Sequence, residues 1–288
     1  MTSVIHDLGY QRYTGPRLGR GYAFRTLYVH SLRTAFGLGR GIKAKIFSWS
    51  IISFILLAGL IVTVIAAQTG QSVTTSPMFL DNMTILSVLL LAGIAPELTS
   101  RDQQTRALSL YFARPLRRTD YALARLGGLV TALFLVLAAP VTLMFVGAAL
   151  STKKGADGIT HAAGDWAAGL AHGATHAIVL SSISVLIASL IRRRAIAAAA
   201  IVAVFLVTTP AVAFTEALNA SQGTSELVAM TNPPAALNYL GIWLYADDPT
   251  RYTGGDPIAH GPLLAVYFVV LSAACIALLV ARYRKVPA

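Results

Sequence analysis

The chain has 288 residues, of which 56% are apolar and only 12% are charged. Soluble domains carry about 25% charged residues, so this composition excludes a soluble protein and predicts an integral membrane protein. The length accommodates six transmembrane helices of roughly 20 residues each with their connections. The formal net charge of +11 does not indicate a nucleic-acid partner, because the cations flank apolar segments, where they set topology and contact lipid head groups.

Residues 1–45 are predicted to be a cytoplasmic N-terminal region, retained because the first apolar run begins too late for a cleavable signal peptide. Within it, apolar side chains recur at helical spacing while Arg25, His30 and Arg33 fall outside that stripe. This pattern favours an amphipathic helix lying in the membrane interface. The alternative is a plain solvated leader. The apolar positions are Phe24, Leu27, Tyr28, Leu32 and Phe36.

Residues 46–288 are predicted to form one six-span transmembrane domain. Polar loops are expected at 68–77 and 151–160, Pro140 is expected to kink the third span, and Thr208-Thr209-Pro210 is expected to break the fifth. Cys275 lies alone in the sixth span, which excludes an internal disulfide and a cysteine-based metal cluster. The predicted spans are 46–67, 79–94, 126–150, 166–191, 195–214 and 262–280.

The cations predict the orientation of the spans. Twenty lysines and arginines fall on the side that holds both termini, the loop between the second and third spans, and Arg192-Arg193-Arg194, whereas three fall on the other side. The positive-inside rule places the larger set in the cytoplasm. We therefore expect a multi-pass cell-membrane protein with both termini cytoplasmic, and the Ala- and Arg-rich composition favours a bacterial source.

The external region, residues 215–261, is long and only partly polar. Residues 235–245 combine Trp243 and two tyrosines with leucines. Trp and Tyr favour the membrane interface, so one interpretation is a short helix dipping into the outer interface. The other is a folded loop that packs on the bundle, and the sequence leaves both open.

No sequence motif supplies a catalytic site or an energy source. The chain lacks a Gly-x-x-x-x-Gly-Lys-Ser/Thr phosphate loop, a Gly-x-Ser-x-Gly elbow and a His-Glu-x-x-His motif. It is therefore predicted not to be an enzyme, and any driving energy comes from an ion gradient or a partner. Asp81, Glu97 and Asp165 all fall near predicted span ends, which argues against an ion-coupled transporter, since such proteins carry ionisable residues deep in their spans.

A charged segment, residues 97–120, follows the second span and is too long for a simple connection. Its residues predict a helix with an apolar stripe and a charged flank, which Pro115 ends before Thr119-Asp120 caps the next helix. We expect it to be a contact surface on the cytoplasmic side. The stripe comprises Leu108, Tyr111, Phe112 and Leu116, and the flank comprises Arg101, Asp102, Arg106, Arg117 and Arg118.

The charged segment resembles the coupling segment of permease subunits of ABC-2 type ATP-binding-cassette transporters. In that family an acidic residue and Gly-Thr-Leu precede Arg-Pro-x-x-Arg, followed by an aromatic or aliphatic residue and Gly-Lys. Arg125 stands here in place of the lysine, and Arg106-Ala107 stand in place of Gly-Thr. The matching residues are Leu108, Arg114, Pro115, Arg118 and Tyr121.

The resemblance implies a permease subunit of an ATP-driven exporter, working with a second copy or a related permease and with two ATPase subunits that bind ATP and magnesium. It implies no cofactor in this chain. Alternatives are an ion-coupled secondary transporter and a non-transporting scaffold or sensor subunit, and the charged segment itself is alternatively a solvated loop that binds anionic lipid. The resemblance assigns ATPase contact to Glu97, Arg101, Leu108, Phe112, Arg114, Pro115 and Arg118.

One face of the fourth span carries a polar constellation. His161, Asp165, His172 and His176 lie at offsets 0, 4, 11 and 15 and so fall within roughly 60° of one another on a helix. His172 and His176 have the spacing to share a metal ion. The face alternatively lines a solute path or senses pH, or is a polar helix end whose imidazoles bond to neighbouring helices or water.

Overall fold

The computed structural model describes residues 15, 18–39, 41–70, 73–105, 111, 116–152, 155–218, 221–246 and 258–285. Within these ranges all regular secondary structure is helical, and six helices are long and apolar enough to cross a membrane. This confirms the predicted all-helical class and indicates a multi-pass membrane protein. The helices are α1 Arg20–Ala35, α2 Ile42–Thr69, α3 Ser76–Asn82, α4 Thr84–Leu98, α5 Ser100–Gln104, α6 Arg118–Ser151, α7 Gly155–Leu190, α8 Arg194–Leu206, α9 Thr209–Ala217, α10 Gln222–Ala229, α11 Pro233–Tyr245 and α12 Gly261–Arg284.

The second and fourth spans form the centre of the bundle. Within the most apolar 18 residues of each span, 72% are buried in the second and 67% in the fourth, against 17% in the first, 22% in the fifth and 28% in the sixth. The exposed side chains of the outer spans are large and apolar, as on α2 and α12. Such faces suit lipid or another helix bundle rather than water.

Several boundaries differ from the sequence prediction. The second candidate span runs over Thr84–Gln104 and not over 79–94, because the chain departs from helical geometry at Met83 (φ −90°, ψ 1°) between the short helix α3 and α4, which continues through Pro96 to Leu98. The third span begins earlier than predicted, at Arg118. The predicted loop at 151–160 is wrong, because α7 begins at Gly155, where Asp157 in the first turn complements the helix dipole. The predicted break in the fifth span is confirmed, since α8 ends at Leu206 and α9 begins at Thr209.

Residues 20–35 are helical, as the periodicity predicts, and α1 packs lengthwise on α6. Its approach is close because Gly128 of α6 lies under Ser31: a Cβ at that glycine would stand 2.6 Å from the Ser31 Cβ. Hydrogen bonds from Tyr28 Oη to Thr131 Oγ1 (2.9 Å) and from Arg20 to Asp120 (2.6 Å) join the two helices further. Helix α1 is thus held firmly against the bundle.

Residues 235–245 are helical and also pack on the bundle, which combines features of both sequence-based interpretations. Asn232 caps α11 by accepting a hydrogen bond from the Ala235 N–H (3.1 Å), and two prolines fill the first turn. Leu237 and Leu240 are buried against α3 and α12. Helix α11 therefore covers α3 and packs against α12.

Charged residues gather at the opposite end of the bundle, here called the basic end: α1, α5, and residues 192–194 and 282–285. Arg118 Nη1 donates to the Arg284 carbonyl (2.9 Å), and Arg282 Nε donates to the Ser189 carbonyl (2.8 Å). The ends of helices from most of the chain therefore meet at the basic end, which makes this end a candidate contact surface.

Candidate functional site

The start of the charged segment is fixed to the end of α7. Helix α5 follows α4 after a single residue, Thr99. Ser100 Oγ donates to the Ala188 carbonyl (2.9 Å) and Gln103 Nε2 donates to the Ser189 carbonyl (2.8 Å). These bonds satisfy carbonyls that the last turn of a helix leaves without intrahelical partners. A displacement of α5 therefore displaces the end of α7.

Arg125 of α6 anchors the charged segment to the bundle from the other side. Its side chain is only 2% exposed and is ion-paired with Asp102 of α5. Asp102 also accepts a hydrogen bond from Tyr121 Oη (2.6 Å), and Arg125 Nη1 donates to Ser31 Oγ of α1 (3.2 Å). The guanidinium carbon lies 5.3 Å from the Tyr121 ring centre. One buried cation thus links α5, α6 and α1.

From the sequence, Arg125 was identified only as the residue that stands in place of the lysine of the ABC-2 family motif. Its ion pair with Asp102 was not predicted. The two residues are separated by 23 positions, so no helical spacing relates them. An arginine directly next to the first residue of the predicted third span was the signal available, because a charge at the edge of an apolar span normally requires a partner.

Glu97 is buried rather than displayed. Its carboxylate is 1% exposed and pairs with Arg194 of α8 and with Arg101 (3.6 Å). Both guanidiniums are more than half exposed. Glu97 therefore pairs with two arginines whose side chains are exposed at the basic end, and its direct contact role stays a prediction.

A cleft of about 810 Å³ opens at the basic end between α1 and the charged segment. Its charge is cationic, because four arginines outnumber two acids. Burial and the nearby Arg125 charge lower the pKa of His30, which also lines the cleft, so that the imidazole adds little charge at neutral pH. The charged lining residues are Arg25, Arg33, Arg101, Arg125, Glu97 and Asp102.

The remaining contact residues of the charged segment divide into two groups. Arg118 lies at the start of α6, where the neighbouring Asp120 carboxylate accepts the Arg117 N–H (3.1 Å). Of the predicted Thr119-Asp120 cap, only Asp120 is confirmed, because Arg117 is the N-cap residue and Thr119 lies inside the first turn. The others, Leu108, Phe112, Arg114 and Pro115, lie outside the described residues, and their roles stay predictions.

A second polar group, the Asp–His cluster, lies at the other end of the bundle and comprises Asp81, His172 and His176. His172 Nε2 lies 2.9 Å from Asp81 Oδ1, and His176 Nε2 lies 3.4 Å from the same oxygen. Both imidazoles are fully buried and Asp81 is 6% exposed. His172 is about 27 Å along α7 from Leu190, so the cluster is near the surface of the apolar layer opposite the basic end.

The structure brings together only part of the predicted polar face. Asp165 instead caps α3, because its carboxylate accepts hydrogen bonds from the Ser76 N–H (3.1 Å) and from the Ser76 hydroxyl (2.5 Å). His161 is exposed about 16 Å from His172 along the helix. The sequence missed Asp81 as a member, because it lies 91 residues from His172 and fell at a predicted span end.

Comparison with protein-family models and with curated proteins finds no match for this chain.

Proposed function

We propose that this chain is the permease subunit of an ATP-driven ABC-2 type exporter in a bacterial cell membrane, with the basic end and both termini in the cytoplasm. The observation that carries the proposal is the cationic cleft between α1 and the charged segment. A partner element seated there touches α1, α5 and the buried Arg125 network at once. The described part of the chain contains no phosphate loop of its own, so the partner supplies ATP and magnesium binding.

The contacts around the cleft favour transmission of movement rather than simple attachment. Closure of two ATPase subunits pushes on α5, which is bonded to α7 through Ser100 and Gln103 and to α6 through Asp102. Because α7 and the second span form the buried centre of the bundle, a push on α5 moves the helices that bound a path. The sparsely buried first, fifth and sixth spans leave faces for lipid and for a second permease chain.

Charge reversal in the cleft tests the proposal. Arg25→Glu introduces a negative charge on the α1 wall, whereas Arg193→Glu makes the same change on an exposed arginine of the basic end that does not line the cleft. A cationic cleft selects a partner element that carries acidic side chains. We therefore expect Arg25→Glu to lower recovery of an ATPase subunit in affinity purification at least about tenfold, because placing like charges against each other costs several kcal/mol. ATP-dependent transport in proteoliposomes is expected to fall equally. Arg193→Glu is expected to change neither.

A second variant in the same experiment, Phe112→Ala combined with Arg114→Ala, tests two of the contact residues that the family resemblance assigns. Unaltered ATPase association in both this variant and Arg25→Glu would contradict the assignment of the charged segment. Failure of the wild-type chain to recover any protein with a phosphate loop would favour a scaffold or sensor subunit instead.

The Asp–His cluster favours a second candidate, an ion-coupled secondary transporter. A buried carboxylate between two imidazoles is the kind of intramembrane ionisable group that such proteins use. It therefore weakens the sequence-based argument against an ion-coupled transporter, which relied on the absence of ionisable residues deep in the spans. Transport that collapses with an uncoupler while ATP is held constant would support this candidate, and transport that persists would support the exporter.

A further inference from the structure

The Asp–His cluster has three potential ligand atoms from two helices within 4.8 Å of one another. They are one oxygen of Asp81, from α3, and the Nε2 atoms of His172 and His176, from α7. An oxygen and two imidazole nitrogens suit a divalent transition metal such as zinc.

The orientation of His176 is fixed by its other nitrogen. Nδ1 lies 3.1 Å from the His172 carbonyl, which can only accept, so Nδ1 carries a proton and donates it. In the neutral ring, Nε2 then presents a lone pair towards Asp81 Oδ1 at 3.4 Å. A metal-binding histidine commonly makes this kind of bond to a backbone carbonyl through its second nitrogen.

Two lone pairs that converge in a buried place repel each other unless a proton or a metal cation lies between them. Thr84 does not relieve the contact fully, because its single hydroxyl hydrogen is shared between His176 Nε2 (3.2 Å) and the Leu80 carbonyl (3.3 Å). The neighbouring side chains therefore supply no full hydrogen bond to the His176 Nε2 lone pair.

We propose that Asp81, His172 and His176 bind one divalent transition-metal ion of the zinc class. Zinc bonds of 2.0–2.1 Å in tetrahedral geometry place ligand atoms about 3.3 Å apart. The distances from Asp81 Oδ1 to the two imidazole nitrogens are 2.9 Å and 3.4 Å, and all three ligand atoms lie within 4.8 Å of one another, so a small movement of the side chains brings them onto one ion. Three protein ligands leave a fourth position for water or Thr84. The ion joins α3 to α7 and needs no ATPase subunit.

Helix α11 closes the site at Gly241. A Cβ at this position would stand 2.8 Å from His172 Cε1, 2.9 Å from His172 Nε2 and 3.1 Å from Asp81 Oδ2. Only glycine leaves the ligands their space. Gly241→Ala is therefore expected to weaken metal binding while it retains every ligand.

Metal binding is measured on the purified full chain in detergent, with any affinity tag removed and bound metal stripped by a chelator. Titration with Co²⁺, followed by visible absorption, is expected to show one tetrahedral ion per chain that Zn²⁺ displaces. Asp81→Asn and His176→Gln are expected to lower the affinity more than about 100-fold, because even the outer partners of metal ligands are worth 10- to 100-fold. His161→Gln, an exposed histidine of the same helix, is the matched control and is expected to bind normally.

Absence of metal binding by the wild-type chain would overturn the proposal and leave the cluster as a group of side chains that share protons. Full binding by both Asp81→Asn and His176→Gln would also overturn it, by placing the ion elsewhere. If one of these variants elutes as aggregate on size exclusion, the wild-type stoichiometry and the other variant decide the question. None of these outcomes depends on transport, so they leave the exporter proposal to its own test.

Discussion

Asp102→Ala is expected to lower the free energy of unfolding by about 3–5 kcal/mol, the usual cost of leaving one member of a buried ion pair without its partner. The substitution strands Arg125, which is 2% exposed and lies among Tyr111, Tyr121 and Ser31. Although Arg125 borders the cleft, its side chain is almost fully buried, so water replaces only part of the lost Coulombic attraction. Tyr121 Oη loses its 2.6 Å hydrogen bond to the Asp102 carboxylate in the same step, whereas its longer contact with the Leu98 carbonyl (3.5 Å) remains.

Chemical unfolding in mild detergent, followed by tryptophan fluorescence, measures this loss. Gln104→Ala, an exposed position in the same short helix, is the matched control and is expected to stay within about 0.5 kcal/mol of wild type. Asp102→Leu combined with Arg125→Met removes both charges, and we expect it to recover much of the stability, because apolar replacement of a buried pair is often neutral. Equal loss in Asp102→Ala and Gln104→Ala would show that the pair does not hold α5.

A separate consequence follows for transport. If the exporter proposal holds, the double variant restores stability but leaves α5 without its bond to α6, so transport stays low while the protein is folded. Normal transport by a stable double variant would show that the Asp102–Arg125 pair is not needed to transmit movement of α5 to the bundle. The assignment of the cleft as the surface that binds the partner would be unaffected.

Gly128→Ala is expected to separate α1 from α6, whereas Gly127→Ala at the adjacent position is not. A Cβ at Gly128 would stand 2.6 Å from the Ser31 Cβ, 3.1 Å from the Tyr28 carbonyl oxygen and 3.2 Å from the Leu32 nitrogen, so backbone must move. A Cβ at Gly127 would meet only the Tyr28 ring, at an ordinary 3.6 Å.

Both substitutions gain about the same helix propensity, roughly 0.8–1.0 kcal/mol, so their difference isolates the steric effect. We expect Gly128→Ala to be less stable than Gly127→Ala by about 1–3 kcal/mol, the usual cost of overpacking. A pair of spin labels on the exposed faces of α1 and α6 is expected to report a larger separation in Gly128→Ala alone. Equal stability and equal separation in the two variants would contradict the close packing of α1, and with it the shape of the cleft.

The sequence predicted those features that a short stretch of chain controls. Continuous apolar runs predicted six spans, and the described part of the chain has six helices that are long and apolar enough to cross a membrane. Helical periodicity predicted the helix at α1, and Thr208-Thr209-Pro210 predicted the break between α8 and α9. The sequence prediction was wrong at 151–160, where polar composition indicated a loop, because α7 already begins at Gly155, with Asp157 in its first turn complementing the helix dipole.

The sequence predicted only some of the residues in each candidate site, because each site is completed by a residue far away along the chain. The spacing of His172 and His176 placed both on one helix face, yet Asp81 joins them only when α3 packs beside α7. Asp102 was recognised as part of a charged flank, yet its burial against Arg125 depends on how α5 folds back onto α6.

The sequence alone therefore determined that the chain is a helical bundle of membrane type, since apolar length and the 3.6-residue period are local properties that any apolar solvent enforces. Only the tertiary structure decided which polar residues are buried together and where the cationic cleft opens. Burial in an apolar surrounding requires each charge to find a partner, and which partner lies within reach is set by the packing of helices that are far apart in sequence.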